Sequence, residues 1–227
     1  MKVMLQTIIM IGIVVLLFYF NSPITKGKVG ENITSALIRL CYKNGILLKN
    51  LYVPIKNDLT TEIDLLLITK KGIFVIENKN YKGWIFGNEK SKYWMQVIYN
   101  RKNQFFNPVK QNAIHINCLK HILDDNIRFY SIIVFSGNCQ LKDISVFSKD
   151  TYVIKEYELK QVLDIIDEYN DDNINDYDMN NIVSKLSSFV KENTSQEIID
   201  KHDVYVRERK GCRSGEESII KKWNSCK

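Results

Sequence analysis

Two apolar runs placed almost back to back constrain this chain more than any other feature: EIDLLLIT at residues 62–69 and GIFVIENKN at residues 72–80. Both are rich in branched side chains and carry four or more consecutive apolar residues, so each must be covered on both faces rather than on one. Lys70, Lys71 and Gly72 supply the only turn between them, which makes the pair a hairpin of buried strands. A strand buried on two sides needs helices or a second sheet above and below it. The sequence therefore predicts a layered α/β protein.

Charges at the ends of these runs need a reason, because a carboxylate taken out of water costs several kcal/mol or gives up its charge. Asp64 directly precedes Leu65, and Glu77 and Lys79 directly follow Ile76. Glu77 and Lys79 are two apart and so share a strand face. A loop of two or four residues pairs positions whose numbers sum to 141, which sets Asp64 opposite Glu77. A three-residue loop with a glycine bulge would instead oppose Asp64 to Asn78 and send the carboxylates to opposite faces. In the first register, two carboxylates and an ammonium on one surface leave room for a divalent cation, and oxygen ligands of this kind suit Mg²⁺ or Mn²⁺. A plain structural Asp–Lys or Glu–Lys pair at a strand end is the competing reading.

The elements around the hairpin follow from periodicity. Val29, Ile33, Ala36, Leu37 and Leu40 fall on one face of a helix, and ILLKNLYVP reads as one strand or two short extended pieces. Residues 83–100 alternate and contain Gly83 and Gly87, which gives two further short strands. Pro108 opens a helix whose apolar stripe is Val109, Ala113, Ile116, Leu119 and Leu123, and FYSIIVF at 129–135 is a buried strand. Beyond residue 150, YVI is a short strand, and EYELKQVLDIIDEY and MNNIVSKLSSFVKE have helical periodicity, with a polar loop over 170–178.

The amino terminus is of another kind. Residues 3–20 hold no charge, and 18 residues of helix span roughly 27 Å, close to a bilayer core. No small-residue cleavage site follows, so an uncleaved transmembrane anchor is expected. Lys2 precedes the run, whereas Lys26, Lys28, Arg39 and Lys43 follow it, which places the folded part on the cytoplasmic side. The five cysteines, Cys41, Cys118, Cys139, Cys212 and Cys226, are widely spaced and form neither a zinc pattern nor a disulfide framework, and reduced thiols agree with that compartment.

Residues 24–135 carry 17 Lys/Arg against 8 Asp/Glu, whereas residues 136–206 carry 7 against 15. A basic first half favours polyanions such as nucleic acid or anionic lipid headgroups, although a solvated basic surface explains it too. Trp84, Phe86, Tyr93 and Trp94 interleave with Lys82, Lys90, Lys92 and Arg101, a pattern that suits stacking on single-stranded bases as well as packing into a sheet core.

Taken in order, Gly27-x-x-Gly30-Glu31, Glu62-Ile63-Asp64, Gly72 through Lys79, Tyr81-x-Gly83, Trp94, and Asn107-Pro108-x-x-Gln111 with His115 resemble the nuclease-related domain (NERD) family. These are relatives of the PD-(D/E)xK, restriction-endonuclease-like nucleases. Asp-x12-Glu-x-Lys alone is a weak motif, but the ordered set is specific, and it covers about half the chain, residues 24–136. The resemblance implies a mixed sheet flanked by helices that carries a metal-dependent phosphodiesterase centre. Asp64, Glu77 and the carbonyl of Asn78 would hold Mg²⁺ or Mn²⁺, Lys79 would orient the attacking water, and Glu31 would assist from the first helix. Gln111 and His115, four apart on one helix face, would lie near the substrate groove; a surface amide and a satisfied core histidine are the alternatives. His121 and His202 have no argued role.

The expected organisation is an anchor at 3–20, a nuclease-like domain at 24–136, a strand and helices at 150–192 on or after the core, and a basic, poorly ordered tail at 193–227. The expected function is a membrane-anchored, metal-dependent nuclease acting on nucleic acid, with DNA as substrate. A non-catalytic nucleic-acid- or protein-binding scaffold of the same fold is the alternative. Replacing either Asp64 or Glu77 is expected to spare the fold, since clustered carboxylates repel each other.

Overall fold

The computed structural model describes residues 23–55, 59–123 and 126–193. The apolar run 3–20, the tail beyond 193, Cys212, Cys226 and His202 lie outside the described residues. Among the described residues, no helix is long and apolar enough to cross a membrane.

Helix α1 (Pro23–Cys41) leads into β1 (Ile46–Pro54), β2 (Thr60–Thr69), β3 (Gly72–Lys79), β4 (Gly83–Asn88), β5 (Tyr93–Ile98) and β6 (Arg101–Phe106). Helix α2 (Pro108–Ile122), β7 (Phe129–Phe135), β8 (Cys139–Ser145), β9 (Thr151–Lys155), α3 (Leu159–Tyr169) and α4 (Asp176–Leu186) complete the order. Two mixed sheets result, β1-β2-β3-β7-β9 and β6-β5-β4-β8, where the sequence reading expected one. Strands β6 and β8 were absent from that reading because RKNQFF and CQLKDIS are mostly polar and exposed on the side away from the core.

The hairpin forms in the register that brings the carboxylates to one face. Thr69 pairs with Gly72 and Leu65 with Ile76 across the two-residue turn Lys70-Lys71. Gly72 has φ +140°, and a Cβ there would stand 2.4 Å from the Arg128 carbonyl, so the turn tolerates glycine alone. Alternate residues of β2 and β3 then face opposite layers. Leu66, Ile68, Ile73 and Val75 pack with Cys118, Leu119 and Leu123 of α2 and Met179, Ile182 and Leu186 of α4. Leu65, Leu67, Phe74 and Ile76 pack with Ile38 of α1 and Leu159, Leu163 and Ile166 of α3. The sheet is thus the middle of three layers, and the segment after residue 150 supplies an edge strand and a helix to each outer layer.

Helix α1 buries a face different from the apolar stripe expected of it, whereas α2 buries Val109, Leu119 and, just past its end, Leu123 as expected and adds polar residues to that inner face. In α1, Gly30, Thr34, Ser35 and Ile38 are buried, while Ile33 is 45% and Leu40 is 74% exposed. The Thr34 hydroxyl donates to Asn78 Oδ1 at 2.7 Å, and a Cβ on Gly30 would touch Asn80 at 3.4 Å, so close approach to β3 selects that face. In α2, Asn112 and His115 are buried and Ala113 is exposed. Asn112 donates to the Val75 carbonyl at 2.8 Å and to the Ser131 hydroxyl at 2.9 Å, stitching the helix to β3 and β7. Amide protons paired in this way can take the place of apolar groups in a core, and Asn112 Oδ1 is left without a partner among the described residues.

Asn107 fixes where α2 begins. Its Oδ1 accepts from the amides of Val109 and Lys110, and its Nδ2 donates to the carbonyls of Asn88, Glu89 and Ser91. One fully buried side chain therefore caps the helix and ties it to the β4–β5 turn. The second sheet turns Ile85, Trp94 and Cys139 against Val109, Ile133 and Phe135, with Trp94 stacked on Phe135 at 6.2 Å between centroids.

Candidate active site

The site lies where β2 and β3 part. Their ladder ends at Leu65–Ile76, and the next position on β2 is Asp64. Asp64 Oδ2 fills the gap by accepting from the Asn78 amide at 2.8 Å. On the far side of β3, the Lys79 carbonyl accepts from Ser136 next to β7. Backbone groups alternate sides along a strand, so the Asn78 carbonyl points with its amide into the opening beside Asp64.

Glu77 is 2% exposed and is held from two directions. Its Oε1 accepts from Lys79 Nζ at 2.6 Å, and its Oε2 lies 3.3 Å from His115 Nε2. His115 Nδ1 lies 3.1 Å from the Thr61 hydroxyl. A ring protonated on Nε2 satisfies both contacts, with Nε2–H donating to Glu77 and the threonine hydroxyl donating to Nδ1. At 1% exposure His115 has no surface for a substrate, so of the two readings the sequence left open the core histidine is the one found, and it positions Glu77. Gln111, one turn earlier and half-buried, accepts from Lys79 Nζ at 3.0 Å.

Glu31 approaches from α1. Asn50, which takes a left-handed φ of 51°, donates to Glu31 at 3.4 Å and to Glu62 at 3.2 Å and so holds the two carboxylates at the rim. Nothing in the sequence pointed to Asn50, Thr34 or Thr61. An asparagine in a polar stretch and two strand or helix threonines carry no spacing signal.

The electrostatics divide the carboxylates. Burial, then Glu77 and Glu31, push the Asp64 carboxyl well above the usual range. Burial, then the carboxylates of Glu62 and Glu77, also raise Glu31. Burial would raise Glu77 as well, but Lys79 and His115 outweigh it and hold Glu77 below the ordinary value. Burial lowers Lys79, and Glu77, Tyr81 and Asp64 more than restore it, so the side chain stays an ammonium. Lys79 can donate hydrogen bonds here but cannot act as a base.

The donor set fits a hard cation. Asp64 has one oxygen without a partner among the described residues, the Asn78 carbonyl faces the same opening, and the upward shift that Glu77 and Glu31 add to that of burial marks a surplus of negative charge there. Among the described residues no three His, Cys, Asp or Glu side chains converge into a ready cage.

A family profile for the nuclease-related domain matches residues 26–136, which contain every residue of the site. The chain is also 35% identical, over 143 residues, to an uncharacterized protein of Bacillus anthracis, covering 63% of this chain and 68% of that one. The chain belongs to the nuclease-related domain family. No solved structure matches it. The nuclease-related domain as matched ends within a residue of β7, so β8, β9, α3 and α4 complete its two sheets and outer layers from beyond the match.

Proposed function

We propose that this chain is a metal-dependent nuclease that hydrolyses phosphodiester bonds, with DNA as substrate. The observation that carries the reading is the opening between β2 and β3, where Asp64, Glu77 and the Asn78 carbonyl meet Lys79 and Gln111. Asp64 and Glu77, with the Asn78 carbonyl, would hold Mg²⁺ or Mn²⁺, which when bound neutralises charge on the phosphate and acidifies water. Lys79, fixed between Glu77 and Gln111, orients the attacking water and offers its protons to the developing negative charge. Glu31, whose carboxyl burial raises above its ordinary value, stands at the rim and takes up the proton that the water loses. His115 holds the Glu77 carboxylate in place from behind.

One observation favours the alternative of a non-catalytic binding module: both Glu77 oxygens are already satisfied by Lys79 and His115. Incubating the full-length chain with linear, circular and single-stranded DNA and with RNA separates the two. Cleavage in Mg²⁺ or Mn²⁺ that EDTA stops is expected. Folded protein that cleaves none of them in either metal would leave the binding module.

The apolar run 3–20 anchors the domain at the cytoplasmic face of a membrane, by its length and by the lysines and arginine that follow it. The chain should sediment with membranes and become soluble when residues 1–22 are removed. Digestion of the domain by protease added outside intact cells would reverse the orientation.

A further inference from the structure

The outward face of the second sheet is apolar, aromatic and basic, and among the described residues none of the three cores covers it. Directly opposed residues share a face of a sheet. Trp84 opposes Val97, which opposes Lys102, and Phe86 opposes Met95, which opposes Gln104. The alternate positions Ile85, Trp94 and Phe105 turn inward to the core. Trp84 is 50% exposed, Phe86, Met95 and Val97 are half-buried, and none of the four joins a core cluster. Lys142 Nζ stands 5.3 Å above the Trp84 ring, and at the end of β5 Lys92 Nζ stands 5.2 Å above that of Tyr93.

Charge decides what such a face takes. Residues 82–106 and 139–145 hold six Lys/Arg and two carboxylates. Of the two, Glu89 is turned away to the amides of Phe147 and Ser148, which leaves Asp143, paired with Phe86, as the one carboxylate on the face. We propose that this face binds single-stranded nucleic acid, with bases stacked on Trp84 and Phe86 and phosphates on Lys142, Lys102 and Lys92. An ammonium over a flat ring matches the alternation of base and phosphate along a strand once a base takes the ring face and the flexible lysine swings to the adjoining phosphate. A duplex hides the faces of its bases, so the surface discriminates for unpaired strands. Trp84 follows Lys79 by five residues, which limits their separation to about 18 Å, so a strand on this face can run on to the opening between β2 and β3. Binding here does not rest on cleavage at that opening.

The test is a titration of the full-length chain in EDTA, carrying Trp223→Phe so that Trp84 and the buried Trp94 report. The probes are a 20-nucleotide oligothymidine, its duplex with oligoadenine, and vesicles of phosphatidylserine and phosphatidylcholine. The single strand should quench the fluorescence and bind more weakly as salt rises. Trp84→Ala should weaken it about tenfold and leave duplex affinity and the melting curve unchanged, whereas Trp84→Phe should restore most of the affinity. Lys142→Ala should lower the slope of log affinity against log salt by about 0.7. Unchanged single-strand affinity in Trp84→Ala, an equal loss for duplex, or binding to vesicles and not to the oligonucleotide would each overturn the assignment.

Discussion

Asp64→Asn should abolish metal-dependent cleavage, by about a thousandfold or more, and yet raise the melting temperature of the metal-free protein. The loss follows because a ligand oxygen that neutralises a cation at the reacting phosphate is worth several kcal/mol. The gain follows from what asparagine keeps. Its Oδ1 still accepts from the Asn78 amide, so the gap between β2 and β3 stays filled, while a negative charge beside Glu77 and Glu31 disappears.

The pH dependence gives the sign. Burial and the neighbouring carboxylates raise the proton affinity of Asp64 in the folded state, so its favourable contribution is complete below the ordinary aspartate value of about 3.9 and is lost as pH rises through the folded value. The advantage of Asp64→Asn should therefore be absent near pH 4 and grow towards pH 8. A difference of 1 kcal/mol registers as about 2–4 °C in a chain of this size. Mg²⁺ should raise the melting temperature of the wild type and leave that of the variant unchanged. Melting scans in EDTA and in Mg²⁺ at both pH values, beside the cleavage assay, check all of this; retained cleavage or a lower melting temperature in EDTA would refute it.

How much of this was legible in the sequence depends on which residues wrote the signal. Leu65 to Ile68 and Ile73 to Ile76 demanded burial on two faces, and their spacing across Lys70-Lys71 allowed the register that the structure adopts. Charges beside such runs are conspicuous, and so Asp64, Glu77 and Lys79 stood out. Asn112 and Thr34, which support the site, were silent for the opposite reason, and Asn107 and His115 were legible only through the family resemblance. Asn112, His115, Thr34 and Asn107 are polar, and they are buried because each finds specific hydrogen-bond partners, which apolar periodicity does not register. Reading α1 by its apolar stripe consequently rotated that helix away from its true inner face, whereas the stripe of α2 placed Val109, Leu119 and Leu123 correctly and missed the polar residues beside them. Trp84 and Trp94 show the same limit within one sheet: ten residues apart and chemically alike, one faces solvent and the other the core because pairing register, not composition, sets their side.

Glu77→Gln should do the reverse of Asp64→Asn: it should stop cleavage and also destabilise the fold, against the expectation that removing either carboxylate is harmless. Glu77 is not a surplus charge. It is the partner of an ammonium 2.6 Å away whose side chain is 15% exposed, and it faces His115 on the other side. Glutamine can still accept from Lys79, and its amide can donate to His115 once the ring proton moves to Nδ1 and points at Thr61. What it cannot replace is the charge. Breaking a buried pair from one side costs about 3–5 kcal/mol, and with water still reaching Lys79 we expect about 2–4, or a melting temperature lower by roughly 5–15 °C. Because Lys79 and His115 depress the Glu77 carboxyl, its contribution is present above the ordinary glutamate value of about 4.3 and is lost as pH falls through the folded value. The deficit of Glu77→Gln should thus be full at pH 7 and close in acid, opposite in slope to the effect at Asp64. Adding Lys79→Met removes the stranded ammonium, so the double variant should melt above Glu77→Gln alone. If it melts lower still, or if Glu77→Gln is as stable as the wild type, then the pair does not hold the site together.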